Sequence, residues 1–171
     1  PDGDTTGCAL ALASAGLRTG HEVTVLCRNH LPVTYAHLVC ADRFLRRPTP
    51  DPALADGALI VCVDTSTAER TFDNFAELAS HAADTMTIDH HGDNTMFSAL
   101  NIVDAGCAAC AEIMTQVIEA YAGNITLSEA EALYTALSTD SGNFRFNSTT
   151  PSTHLCAARL LAAGVDPSAV D

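Results

Sequence analysis

Thr87-Ile88-Asp89-His90-His91 is an apolar, β-branched run that stops abruptly in one carboxylate and two adjacent imidazoles. A run of this kind reads as a buried strand that delivers metal-ligating side chains to its carboxyl end. Three other segments also end in aspartates: Pro1-Asp2-Gly3-Asp4, Val61-Cys62-Val63-Asp64 and Leu137-Ser138-Thr139-Asp140. Four acidic endings and a His pair point to one metal site assembled from distant parts of the chain.

Working outward from residues 87–91, the spacing predicts strands over Thr85–Ile88 and Leu59–Asp64. Between them it predicts one amphipathic helix over Ser66–His81, capped by Thr65 or Ser66. Upstream, a Gly/Asp turn leads into an Ala-rich helix over Leu10–Leu17. A strand over Glu22–Cys27, a helix over Pro32–Cys40 and a loop marked by Pro48, Pro50 and Pro52 follow. Such alternation predicts an α/β fold, a parallel β-sheet flanked by helices, with ligands bound outside the carboxyl ends of the strands. The second half reads as more helical. A strand over Ala99–Val103 is followed by a helix over Cys107–Tyr121 that ends at Gly123-Asn124. A capping-box signature at Ser128-Glu129-Ala130-Glu131 opens a helix running into Ser138, and Thr150-Pro151-Ser152 starts a last one that Gly164 ends.

Composition sets the class. The chain has 171 residues, the size of one domain, with 47% hydrophobic and 17% charged residues, which is globular rather than disordered. A formal net charge of −13 repels phosphodiester backbones at long range, so no duplex DNA partner is expected, and a nucleotide substrate must be short or held by metal. No apolar run approaches the roughly 18–20 residues that span a bilayer, so no membrane partner is expected. Seven cysteines, an odd number set mostly among Ala, Leu and Val, read as small apolar residues of a reduced, cytoplasmic protein. Cys107 and Cys110 form a CxxC, but no second pair completes a zinc site, which favours packing. Pro1 opens directly onto the Asp-Gly-Asp motif with no preceding strand, which reads as a fragment of a longer protein.

The candidate ligands suit a pair of divalent ions. Gly3 lets the backbone turn tightly enough for Asp2 and Asp4 to present two carboxylates to neighbouring points. Asp64 closes a buried strand, where a lone charge is costly unless it bridges cations. His90 supplies a neutral imidazole and Asp140 a carboxylate beside Ser141-Gly142. Two ions about 3.5–4 Å apart can hold a bridging hydroxide and stabilise the attacking and leaving oxygens of phosphoryl hydrolysis.

Pro1-Asp2-Gly3-Asp4, Val63-Asp64-Thr65-Ser66, Asp89-His90-His91 and the segment from Thr139 to Phe146 resemble, in order and spacing, the four motifs of the DHH phosphoesterase superfamily. The run from Asp89 to Asn94, the segments Ala108–Glu112 and Ala132–Leu137, and Asn147–Pro151 are similar to its NrnA-type oligoribonuclease and pAp phosphatase branch. The resemblance implies a Mn2+-dependent phosphoesterase, with Mg2+ or Co2+ as substitutes, acting on short RNA oligonucleotides and on 3'-phosphoadenosine 5'-phosphate. It implies that Asp2 binds one ion, Asp4 the other, and Asp64 both, with His90 and Asp140 completing the second ion's ligands. It makes Asp89 and His91 catalytic, His91 lying by the scissile phosphate and Asp89 orienting the imidazoles, and makes Arg145 a phosphate or nucleotide contact beside His91. A homodimer is compatible with it.

The resemblance also implies that residues 1–171 are a catalytic domain whose preceding strand, with a metal-binding His, and following DHHA1 substrate domain lie outside the chain. Ser141 stands where the family usually has Thr. Other branches of the superfamily (cyclic dinucleotide phosphodiesterases, single-strand exonucleases, inorganic pyrophosphatases) would share the metal site. A noncatalytic metal-binding module is the alternative outside catalysis.

Overall fold

The computed structural model describes residues 1–170. Its first helix, α1 (Gly3–Arg18), is rich in Ala and Leu, and Asp2 caps it by accepting from the Thr5 amide at 3.0 Å. Helix α1 therefore begins seven residues before the expected Leu10. Gly3 is not a turn residue but the first residue of the helix. Its missing side chain serves packing instead. A Cβ at Gly3 would collide with the Thr139 side chain, and one at Gly7 with the main-chain carbonyl of Ala132, so α1 meets helix α5 (Leu127–Asp140) almost backbone to backbone. This close approach sets the amino end of α1 beside the carboxyl end of α5.

Strands β1 (Val25–Cys27) and β2 (Phe44–Arg46) form a short parallel pair. The segment expected to be helical over Pro32–Cys40 holds only a single 3-10 turn at Val33–Tyr35. Val33, Thr34 and Tyr35 are weak helix formers, and Cys40 adopts a left-handed backbone (φ 57°) that ends any helical run. The main sheet is parallel, in the order β3 (Leu59–Val63), β4 (Asp84–Asp89), β5 (Leu100–Val103). Val63 pairs with Ile88 and Asp89 with Val103, so Asp64 and the Asp89–His91 trio leave the sheet at the same end.

The crossover between β3 and β4 is two short helices, α2 (Ala68–Thr71) and α3 (Phe75–His81), rather than one. Extended backbone at Phe72 and the turn-forming pair Asp73-Asn74 break it. Helix α4 (Cys110–Ala122) stops at Gly123 (φ 81°), a residue type that takes the left-handed cap without strain. Helix α5 carries a capping box, but its members are Thr126 and Glu129, two residues ahead of the expected Ser128 and Glu131. Helix α6 (Pro151–Ala162) starts at the expected Thr150, which caps it with Thr153. Leu10, Ile88, Met114, Ile118, Leu133 and Leu137 are fully buried where α1, α4 and α5 meet β4. Among the described residues no helix is long and apolar enough to cross a membrane.

Candidate metal centre

Four elements bring the acidic endings together. Asp64 follows β3 in a left-handed backbone (φ 53°), held by its amide donating to the Ile88 carbonyl at 2.9 Å. Asp89 ends β4 and the two histidines follow it; Asp4 lies in the first turn of α1, and Asp140 is the last residue of α5. His90 Nε2 lies 3.2 Å from Asp140 Oδ2, 3.6 Å from Asp64 Oδ1 and 3.7 Å from Asp4 Oδ2. It hydrogen-bonds none of them, and Asp64 Oδ1 is likewise buried without a partner. Two orphaned polar atoms facing each other in a buried acidic cluster are costly unless a cation meets them. Ligand atoms from Asp4, His90 and Asp140, and from Asp64, His90 and His91, lie within 4.8 Å of one another in two overlapping groups. Carboxylate oxygens and imidazole nitrogen suit a divalent ion such as Mn2+, Mg2+, Co2+ or Zn2+.

The electrostatics agree with that fit. Burial, reinforced by the Asp64 and Asp140 charges, pushes the Asp4 carboxyl well above the ordinary range. Burial also raises the Asp64 carboxyl, against the Thr5 hydroxyl that favours its charged form. Burial alone would lower His90, but the carboxylates of Asp140, Asp4 and Asp64 and the Cys107 carbonyl outweigh it and push the imidazole up to about 9.

Each ligand candidate is held by its other atoms. Asp4, fully buried, accepts from the Cys110 amide at 2.6 Å, the Ala111 amide at 3.1 Å and the Cys8 thiol at 3.2 Å. Its carboxylate therefore seats on the amino end of α4, where free amides and the helix dipole favour an anion. The Thr5 hydroxyl stands between Asp2 Oδ1 at 2.9 Å and Asp64 Oδ2 at 2.6 Å. Asp2 and Asp4 are not presented as a pair: Asp2 is exposed, spends Oδ1 on capping α1, and lies outside both three-ligand groups, whereas Asp4 turns inward.

The two imidazoles are oriented by different partners. His91 Nδ1 donates to Asp89 Oδ1 at 2.7 Å, and the Asn94 amide holds the other Asp89 oxygen at 2.6 Å. These bonds keep the Asp89 carboxyl below its ordinary range even though burial works to raise it. His90 Nδ1 donates instead to the main-chain carbonyl of Cys107 at 3.2 Å. The expectation that Asp89 orients both imidazoles therefore needs correcting: it orients His91 alone. Arg145 is exposed, and its side chain makes no hydrogen bond or ion pair among the described residues. It follows a turn in which Gly142, Asn143 and Phe144 all have positive φ. A cavity of about 260 Å³ is lined by Tyr35 and by Ser138, Thr139, Gly142 and Asn143, the last four of which flank Asp140 in sequence. Sequence reasoning missed Thr5, the Cys107 carbonyl and the α4 amides; none carries a local signal, because each acts on a residue far away in the chain.

Residues 1–137 match the model of the DHH family, N-terminal domain. The chain is 34% identical, over 96% of its length, to the bifunctional oligoribonuclease and PAP phosphatase NrnA of Thermus thermophilus. It is 26% identical over 66% of its length to the NrnA of Bacillus subtilis, which bears the same description. It spans about half the length of the Thermus relative (48%) and 40% of the Bacillus one. Among solved structures, an exopolyphosphatase-related protein from Bacteroides fragilis superposes with a TM-score of 0.90 at 24% identity, covering 99% of this chain and 52% of the other, a likeness of fold.

Proposed function

This chain belongs to the DHH family, and from that premise we propose that it is the catalytic domain of a Mn2+-dependent phosphoesterase that hydrolyses short RNA oligonucleotides and 3'-phosphoadenosine 5'-phosphate. The observation that carries the proposal is the convergence of Asp4, Asp64 and Asp140 on an unpartnered His90 Nε2 at 3.2–3.7 Å. The oligoribonuclease and PAP phosphatase activities of the Thermus and Bacillus relatives supply the substrate class.

In this reading Asp4, Asp64, His90 and Asp140 would hold a pair of divalent ions, and Asp2 would join them through Oδ2, the oxygen it does not use to cap α1. Divalent ions bound there would neutralise the acidic cluster, acidify water and stabilise the oxygens of the scissile phosphate. The residues do the positioning. Asp4 is fixed by the α4 amides, and Asp64 by Thr5 and by its own amide. His91, whose Nδ1 proton is committed to Asp89, would meet a phosphate oxygen or the leaving group as the imidazolium, donating through an Nε2 proton. Arg145, with no ion pair among the described residues, would supply a guanidinium for a second phosphate oxygen. The chain carries a net charge of −13, so an anionic substrate gains little from long-range attraction and depends on these local positive groups.

The test is Mn2+-dependent hydrolysis of dinucleotides and of 3'-phosphoadenosine 5'-phosphate by the full-length protein and its Asp64→Ala variant. The parent is expected to turn over both and the variant neither. Near-parental turnover by Asp64→Ala would sink the assignment, and a parent active only on pyrophosphate or cyclic dinucleotides would move it to another branch of the family.

A further inference from the structure

Glu112 is an acid with no part in the site described above, yet it is 2% exposed. Its Oε1 accepts from the Ala108 amide at 2.9 Å and from the Thr153 hydroxyl at 2.8 Å, while Oε2 is buried with no partner. A buried carboxylate this sparsely bonded is costly to keep. Capping α4 does not account for it. The first amides of that helix, Cys110 and Ala111, are taken by Asp4, and Glu112 reaches instead to Ala108, outside the helix.

The Ala108 amide matters because of what lies at the other end of the same peptide. The N–H of Ala108 and the C=O of Cys107 belong to one planar unit, so orienting one orients the other. That carbonyl accepts the Nδ1 proton of His90 at 3.2 Å. A chain of hydrogen bonds thus runs from Thr153 on α6 to Glu112 on α4, through the Cys107–Ala108 peptide, to His90, and each link polarises the next. Metal-ligating histidines commonly donate their other N–H to a carboxylate or a main-chain carbonyl. Here the carboxylate would act at one remove, through a peptide.

We propose that Glu112 is a positioning residue for His90: its carboxylate fixes the Cys107–Ala108 peptide, the peptide carbonyl accepts a hydrogen bond from Nδ1–H, and Nε2 is left to face Asp4, Asp64 and Asp140 as the ligating atom. This rests on the metal-site reading given above. The tautomer of His90 is thereby set by a residue on α4, which explains why a buried acid is spent on a loop amide.

The experiment uses full-length protein and two variants, with free Mn2+ followed by electron paramagnetic resonance during titration. Glu112→Met fills the space without an acceptor and is expected to weaken Mn2+ binding about 10–100-fold, the usual cost of losing such a support. Glu112→Gln keeps an amide oxygen for Ala108 N–H and is expected to stay within about threefold of the parent. Circular dichroism melts without metal check that each variant is folded. In metal-free parent at a pH where His90 is neutral, 15N spectra are expected to show the Nδ1–H tautomer, and in Glu112→Met a shift toward Nε2–H. Parent-like Mn2+ binding by folded Glu112→Met overturns the inference, and so does an Nε2–H tautomer in the parent. Should Glu112→Met not fold, the parent's tautomer decides. Failure of the parent to bind Mn2+ at all would count against the metal reading, and the tautomer would still test Glu112.

Discussion

Asp4 and Asp140 both approach His90 Nε2 but are held in different ways, and substituting each by Ala separates fold from site. Asp4→Ala leaves the Cys110 and Ala111 amides, both at the buried amino end of α4, without their acceptor. An orphaned buried donor costs about 1–3 kcal/mol. Against this, Asp4 is itself disfavoured as a charge by burial and by Asp64 and Asp140, so its removal also relieves repulsion. The balance is a loss of about 2 kcal/mol in metal-free protein, or a fall in Tm of about 4–8 °C for a domain of this size. The Asp140 side chain is 28% exposed and makes no hydrogen bond, so Asp140→Ala is expected to move the metal-free Tm by less than about 2 °C.

Metal reverses the pattern of similarity between the two. Mn2+ at about a hundred times its dissociation constant adds roughly 2.7 kcal/mol to the parent. Both variants are expected to lose most of that gain. The assay is far-UV circular dichroism with EDTA and then with Mn2+. A metal-free Asp4→Ala protein melting with the parent would refute the capping argument, and an Asp140→Ala protein keeping the full Mn2+-induced shift would refute the placement of Asp140 at the ion.

Three further outcomes follow from the geometry. Gly7→Ala should gain about 1 kcal/mol of helix propensity yet destabilise overall by about 1–3 kcal/mol, because the new methyl meets the Ala132 carbonyl and main chain cannot swing aside; urea titration checks it, and a more stable variant would contradict the backbone contact. Burial works to raise the Glu129 carboxyl, but Arg18 at 2.8 Å, the Thr126 amide and the Ser14 hydroxyl outweigh it and hold it below its ordinary value of 4.5. That stability is fully present above pH 4.5 and is lost as pH falls through the lowered value, so Glu129→Gln should flatten the acid limb of a stability-versus-pH curve. Because the raised His90 holds a proton up to a pH of about 9, and a cation at Nε2 must displace it, Mn2+ affinity should climb with pH and level off beyond that value; isothermal titration at several pH values measures this, and a flat profile would exclude His90 as a ligand.

Local pattern carried much of this protein. The β-branched run into Asp89-His90-His91 and the apolar run into Asp64 are legible as parallel strands because a strand's burial and its end are written in consecutive residues. Thr150-Pro151 and Gly123 mark helix ends for the same reason. Legibility failed where two local signals competed. Ser128-Glu131 reads as the capping box, but Thr126-Glu129 has the same spacing and forms it, and the ion pair of Glu129 with Arg18, on a helix more than a hundred residues away, accompanies that outcome. Gly3 offered both a turn and a packing contact, and the nearness of Thr139 decided it.

The sequence by itself determined which side chains were available to a metal and that strand ends would carry Asp64 and the Asp89–His91 trio. Only the tertiary structure decided what each one does with its remaining atoms. Asp4 rests on the Cys110 amide across 106 residues, His90 turns Nδ1 to a loop carbonyl while His91 turns Nδ1 to Asp89, and Asp2 stays at the surface as a cap. Spacing along a chain fixes the period of a helix or strand and therefore which face a residue occupies. It does not fix which hydrogen-bond partner another element brings to that face, and in a metal site that partner selects the ligating atom.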